Sequence, residues 1–417
     1  MKGRSHSGSI KLDLEIEKLV YGGWGFGRHE GKVVFVPFTT PGDRVEVRPR
    51  VVKKNYIRAS LIRILEPGSG RQIPPCRHFG SCGGCHWQHI EYARQVDAKR
   101  QVLEEILTHR FPQTGDLLMP MRASLRSYEY RSRARFQLQE LAGEMRVGFF
   151  RFHTHDVEDI EMCPLLRPTL NDGLAHIRGA VQACPKHAWP RHIDAACAEE
   201  DGRWAAAETE PLEGQGLPGE EDPAAPAKTL VRTVGIFQYR FSPSVFFQAN
   251  DFAVGDLVDR VSALARECGG SAALELFAGV GLFTLPLALT FASVTAVESS
   301  EAASRFCKEN AAQAGLDNVR THCADVLAWM GAAGSLAPPA LDLVLLDPPR
   351  TGAGREIMRR IAEWSPETII YVSCDPQTLA RDLAALPIGN YQIDHLEGFD
   401  LFPQTYHFET VARLRRR

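Results

Sequence analysis

Apolar and polar residues alternate along the first segment, as in Arg44-Val45-Glu46-Val47-Arg48, with turn signals at Tyr21-Gly22-Gly23 and Pro41-Gly42-Asp43. A period of two puts alternate side chains on opposite faces of a strand, so residues 10–66 are expected to pack as a small β-barrel. The pattern lapses through 67–88, which is rich in Pro, Gly and Cys, and resumes helically from Ile90 to Leu107. Signals between about 121 and 240 are mixed, with a strand-like run at Arg133-Ala134-Arg135-Phe136-Gln137-Leu138. Glu199 to Ala227 is rich in Glu, Pro, Gly and Ala and reads as a solvated loop or disordered insertion. From about 242 onward, short apolar runs at Ala273–Phe277, Ser293–Val297, Leu343–Leu346 and Thr368–Ser373 alternate with helix-length segments. Buried strands alternating with helices predict a doubly wound, largely parallel sheet, whose ligands gather at the carboxyl ends of its strands.

Three units follow: 1–66, 67–241 and 242–417. The net charge of -3 hides a gradient: residues 1–66 carry 13 Lys+Arg against 7 Asp+Glu, whereas 199–222 carry 9 Asp+Glu against Arg203 alone. The basic charge sits where it could meet phosphates. No apolar run reaches the roughly 18–20 residues of a membrane span, and MKGRSHSGSI lacks a signal-peptide core, so a cytoplasmic protein off the membrane is expected. Ten cysteines without an export signal then point to reduced thiols, metal ligation or catalysis rather than disulfides.

Cys76, Cys82 and Cys85 lie in CRHFGSCGGC, and Cys163 follows in EMCP. Four soft ligands suit a tetrahedral zinc or an iron–sulfur cluster. The alternative is a core thiol at Cys163 and a three-cysteine zinc site completed by His78 or His86.

The segment Leu274-Glu275-Leu276-Phe277-Ala278-Gly279-Val280-Gly281 ends a strand in a glycine turn that brings backbone close to a ligand. Glu298 closes the next strand, about 20 residues on, where a carboxylate can bind both hydroxyls of a ribose. A nicotinamide cofactor would want a third glycine, but the chain continues Leu282-Phe283-Thr284. S-adenosylmethionine, which has no phosphate, fits better. Asp325, after a presumptive third strand, either meets the adenine amino group or caps a helix.

Asp347-Pro348-Pro349-Arg350 follows the strand at 343–346. Amino-methylating enzymes often place an aromatic residue where Arg350 stands, which speaks against that chemistry. The next strand delivers Cys374, in isolation a small buried hydrophobe. Context gives it work. Carbon 5 of uracil becomes nucleophilic once a thiolate adds to carbon 6, and a base must later remove the carbon 5 proton. Glu409, in FPQTYHFET, is the candidate base; in isolation it reads as a charge on a solvated strand face.

These motifs together resemble the bacterial RNA uracil-C5 methyltransferases, the ribosomal and transfer RNA 5-methyluridine enzymes. The likeness spans nearly the whole chain: a TRAM-like N-terminal barrel, CRHFGSCGGCHWQH, FFQAN, LELFAGVGLFTLPLA, LLDPPR, VSCDPQTLARDL and FPQTYHFET. It implies an α/β fold with a C-terminal Rossmann-like S-adenosylmethionine domain, the small barrel, and a central α+β region bearing a 4Fe-4S cluster on Cys76, Cys82, Cys85 and Cys163. It implies cofactor contacts from Gln248, Phe277, Glu298 and Asp347 beside the glycine turn at Gly279, with Cys374 as nucleophile and Glu409 as base. The implied partner is RNA, ribosomal RNA first and transfer RNA second, with no obligate protein partner. Two positions depart from the family pattern: Leu282, where relatives often carry asparagine, and Gln404, where many carry histidine. The rival readings are cytosine-C5 methylation and a non-catalytic RNA-binding or assembly protein on the same fold.

Overall fold

Alternation in the first segment closes a barrel. In the computed structural model, which describes residues 11–141, 143–183, 190–198, 202–208, 229–332, 341–387 and 389–417, β1 (Leu12–Val20), β2 (Trp24–His29), β3 (Lys32–Pro37), β4 (Arg44–Val52) and β5 (Tyr56–Glu66) pair in the order β1-β2-β3-β5-β4. Every second residue, among them Leu14, Ile16, Val34, Val36, Val45 and Val47, fills the interior. The buried Asp43 of the Pro-Gly-Asp turn is gripped by Arg71 at 2.6 and 3.1 Å, which latches the barrel to the chain that follows.

Beyond the cysteine-rich stretch come α1 (Tyr92–Arg110) and a central sheet. Its strands β6 (Arg133–Leu141), β7 (Glu144–Phe150), β8 (Val157–Asp159), β9 (His192–Ala198) and β10 (Arg203–Glu208) run in the order β10-β9-β6-β7-β8, all pairs antiparallel. The helix α2 (Pro168–Ala183) packs Leu170, Leu174 and Ile177 against Phe136 and Trp204. The presence of β10 corrects the expectation that 199–227 is one solvated insertion. Trp204 and Ala205 are buried, and their strand zips onto β9 from Arg203↔Ala198 to Glu208↔Ile193. Acidic residues on either side mask this short alanine-rich strand in composition. Residues 209–227 lie outside the described residues.

The hairpin β11 (Leu230–Val234) and β12 (Phe237–Phe241) leads into the C-terminal layers. In chain order these are α3 (Val254–Arg266), β13 (Ala272–Leu276), α4 (Thr284–Ala288), β14 (Ser293–Glu298), α5 (Glu301–Gln313), β15 (Val319–Cys323) and α6 (Val326–Ala332), then β16 (Leu343–Leu346), α7 (Arg355–Trp364), β17 (Thr368–Ser373), α8 (Pro376–Leu383), β18 (Tyr391–Phe399) and β19 (Glu409–Arg416). The sheet order is β15-β14-β13-β16-β17-β19-β18, parallel through β17 and antiparallel in the last two strands. All four residues of β16 are buried, as expected of a strand covered on both faces.

Packing does not follow the expected 67–241 segment as a unit. From α1, Val102, Leu103 and Leu107 join Leu274, Leu276 and Val344 in the core on one face of this sheet. From the hairpin, Val234, Tyr239 and Phe241 join Ala273, Leu343 and Leu345 on the other. Among the described residues no helix is long and apolar enough to cross a membrane.

Candidate active site

Strand register brings the chemistry-bearing residues to one edge. Leu276 pairs with Val297 on one side and Leu346 on the other, so Phe277, Glu298 and Asp347 leave three adjacent strands side by side. In the antiparallel pair, Ser373 lies opposite Thr410, and Cys374 and Glu409 are the next residues at that end of the two strands. Neighbouring strands lie about 4.8 Å apart, and the charge of Glu409 reaches the Cys374 thiol.

The glycine turn is strained where it meets this edge. Phe277 has a φ of 63°, a left-handed conformation that costs a non-glycine residue roughly 1–2 kcal/mol. The turn folds back so that Gly279 N donates to Glu298 Oε2 at 3.0 Å, while Ser300 N donates to Oε1 at 2.7 Å. Gln248 is buried, and its Oε1 has no hydrogen-bond partner among the described residues. Asp325 lies two residues past β15, next to β14 in the sheet, but is exposed, and its Oδ1 accepts from Ala328 N at 2.9 Å. The cap is the role the structure displays there. Leu282 turns its side chain into the core and its carbonyl accepts from Tyr239 OH at 3.0 Å.

Burial governs the protonation of the groups at this edge. It pushes the half-buried Cys374 thiol up to about 12, with the charges of Glu409 and Asp347 adding and Arg350 opposing. Glu409 is only 2% exposed, with Oε2 unpartnered, so the solvated-face reading fails. Burial and then Asp347 hold its carboxyl well above the usual range, and Arg350 pulls it back. Burial likewise raises Asp347 to about 7. Two such carboxyls side by side share protons rather than ionise together.

The loop before Glu409 is clamped by residues that sequence reasoning missed. Gln404, at a φ of 69°, exchanges two 2.9 Å hydrogen bonds with Gln95, and its carbonyl accepts from His86 N and Trp87 N at 2.9 and 3.0 Å. The fully buried Lys99 donates to Asp400 Oδ1 at 2.6 Å and to the Phe402 carbonyl at 3.0 Å. A signal existed: Gln95 and Lys99 fall on the same helical stripe as Ala98, Val102 and Leu103. From the barrel, Tyr21 donates to Asp375 Oδ2 at 2.7 Å and meets Tyr406 edge-on at 5.4 Å, so the β1–β2 turn walls the cleft beside Cys374.

Cys76, Cys82, Cys85 and Cys163 all line one cavity with Phe79 and Gln88. Gln88 Nε2 donates to Cys85 Sγ at 3.1 Å and Gly84 N to Cys82 Sγ at 3.4 Å. Asn171 holds the Cys163 backbone at both its N–H and its carbonyl, at 3.0 and 3.1 Å. Neither His78 nor His86 lines the cavity; His78 Nδ1 pairs with Glu158 at 2.9 Å. Among the described residues no three His, Cys, Asp or Glu side chains gather tightly enough to hold a single ion.

Comparison with known proteins fits this geometry. The tRNA (Uracil-5-)-methyltransferase family model matches residues 228–327 and 334–417, and the TRAM domain model matches 11–62. The 23S rRNA (uracil(1939)-C(5))-methyltransferase RlmD of Shewanella amazonensis is 34% identical over 427 residues, covering 97% of this chain and 95% of its own. The chain belongs to the RNA uracil-5 methyltransferase family. A second relative, RlmD of Halomonas elongata, is 33% identical over 447 residues, covering 99% of this chain and 91% of its own. The crystal structure of the Pyrococcus abyssi tRNA (uracil-54, C5)-methyltransferase, in complex with S-adenosyl-L-homocysteine, shares the fold with this family member. It superposes with a TM-score of 0.72 at 23% identity, over 97% of this chain and all of that one.

Proposed function

We propose that this methyltransferase modifies carbon 5 of a uridine in RNA, 23S ribosomal RNA being the first candidate substrate, through a covalent bond from Cys374. The observation that carries this reading is that Cys374 and the buried Glu409, whose Oε2 has no partner among the described residues, lie one step beyond the Ser373–Thr410 pair at the end of the glycine-turn sheet.

S-adenosylmethionine supplies, when bound, a methyl group on a positively charged sulfur. The residues present suit it: Gln248 offers an unpartnered buried acceptor, the Phe277–Gly279 turn a close backbone, and Glu298 a ribose-binding carboxylate, with Asp347 beside them. Cys374 Sγ bonds to uracil carbon 6 as the thiol proton leaves to solvent, so the Asp347–Glu409 pair keeps its one free carboxylate for the later step. The electrons of the C5–C6 double bond shift toward the carbon 4 carbonyl, and carbon 5 then takes the methyl group. Glu409 removes the carbon 5 proton, and the freed electron pair expels the sulfur. A carboxyl with a raised pKa is the stronger base that this last step needs.

Glu409→Gln is therefore expected to lower turnover by about 10²–10⁴-fold while a protein–RNA complex carrying labelled methyl accumulates on a denaturing gel. Slow turnover without that complex would contradict the role of base.

Cys76, Cys82, Cys85 and Cys163 are proposed to hold a 4Fe-4S cluster. Burial pushes the Cys82 thiol up to about 12 and raises Cys85 and Cys163 as well, and the other cysteines of the set add to each shift, a cost that ligation to a cation relieves. Their spread around a cavity suits a cluster better than one zinc ion, whose thiolates would converge to about 3.8 Å from one another. Anaerobically purified protein is expected to contain iron and acid-labile sulfide, lost together in Cys82→Ser. Stoichiometric zinc without iron would overturn this assignment.

A further inference from the structure

A second hollow opens beside the cysteine loop, away from the sulfur atoms. It measures about 320 Å³, and its lining includes Arg131, Arg135, Phe150, Arg151, Phe152 and His153, with His86 at one end and no Asp or Glu in its wall. Phe150 is 39% exposed there, a large ring facing water from the end of β7. Arg135 and Arg151 are held in plane by Asp194 and Glu158 at 2.8 and 2.7 Å, whereas Arg131 has no carboxylate partner among the described residues. His153 takes a left-handed φ of 56° and lays its ring on barrel residue Trp24, 5.5 Å away and 19° from parallel. Strain at a site of exposed rings is a mark of function rather than of folding.

We infer that this hollow is a stacking site for an unpaired nucleotide of the RNA strand that carries the target uridine. Every base has a flat face that stacks on aromatic rings, and arginines beside such rings take the phosphates. Position argues for the same strand. His86 lies 4.7 Å from Tyr406, and Tyr406 lies 5.4 Å from Tyr21, whose hydroxyl reaches the residue next to Cys374. A strand entering the catalytic cleft thus passes the hollow a few nucleotides away. The hollow also shares backbone with the cysteine loop, because Gly83 N donates to the Phe150 carbonyl and Phe152 N to the Ser81 carbonyl, each at 2.8 Å. The inference rests on the RNA-methylating reading above and adds a subsite to it.

The test compares unaltered enzyme with Phe150→Ala/His153→Ala by fluorescence anisotropy, without S-adenosylmethionine, on two RNAs. One extends about five nucleotides to each side of the uridine and the other stops one nucleotide beyond it. The variant is expected to bind the longer RNA roughly 10-fold or more weakly and the shorter one as before. Photocrosslinking of a 5-iodouridine-substituted longer RNA should fall on 150–153. Equal affinity of both proteins for the longer RNA would overturn the inference, as would equal losses on both RNAs. So would crosslinks only elsewhere, or displacement of the RNA from this face by polyglutamate at matched charge, which would mark an acidic protein partner. Adduct formation by unaltered enzyme is scored separately. Its failure would fault the catalytic reading and leave the binding result standing.

Discussion

Cys374→Ala is expected to abolish methylation, lowering the single-turnover rate by about 10⁴-fold or more, with no change in the circular dichroism spectrum. The size follows from chemistry: carbon 5 of an unactivated uracil does not attack a methyl sulfonium, and Cys374 carries a thiol within reach of the charges of Glu409 and Asp347. The fold should survive because the side chain is half-buried at a strand end, and shortening it there creates little cavity. Cys374→Ser is expected to be nearly as inactive, since the same burial that raises the thiol leaves a hydroxyl still harder to ionise. A residual rate within tenfold of the unaltered enzyme would mean that another group, or none, activates the ring.

The largest effect on stability is expected at Lys99. Its ammonium is wholly buried against Asp400 and the Phe402 carbonyl and sits 5.8 Å over the Trp87 ring. Lys99→Met leaves Asp400 as an uncompensated buried charge, which costs about 3–5 kcal/mol. Denaturant unfolding followed by tryptophan fluorescence should show that loss in the transition that includes Trp87. Lys99→Met/Asp400→Leu should recover part of it, because no buried charge is left uncompensated, although Phe402 N loses its acceptor. Activity should fall further than stability explains in the single variant, since Lys99 also ties down the loop from Asp400 to Glu409. A single variant as stable as the parent would show that the pair contributes nothing net.

What was legible in the chain was what local pattern encodes. Period-two alternation marks the barrel, and largely apolar runs mark β13, β14, β16 and β17 close to their limits; β16 and β17, buried at every position, have no exposed side to blur them. Cys374 and Glu409 were singled out on sequence, and they lie one step beyond the Ser373–Thr410 pair, at the same end of β17 and β19. Contacts made at long range were not. The strand β10 hides in an acidic stretch because half of its residues are alanine, weak formers of any pattern. The allegiance of α1 and the β11–β12 hairpin to the catalytic sheet depends on which apolar face meets which, a tertiary fact that periodicity leaves open. Gln404 was visible only as a departure from a family pattern. Its side chain bonds to Gln95 and its backbone carbonyl accepts from His86 and Trp87, so it joins the cysteine loop to the segment before Glu409. For Asp325 both roles were open on sequence, and the exposed carboxylate caps α6.

The central claim is that the Cys374 sulfur adds to a pyrimidine ring. Incubating the enzyme with RNA that carries 5-fluorouridine at the methylated position, together with labelled S-adenosylmethionine, tests it most directly, because fluorine leaves no proton for Glu409 to remove. A stable complex containing methyl label, protein and RNA, with the crosslinked peptide mapped to Cys374, is the expected result. Methylation of the natural uridine without any adduct on the fluorinated one, or an adduct on a different residue, would contradict it.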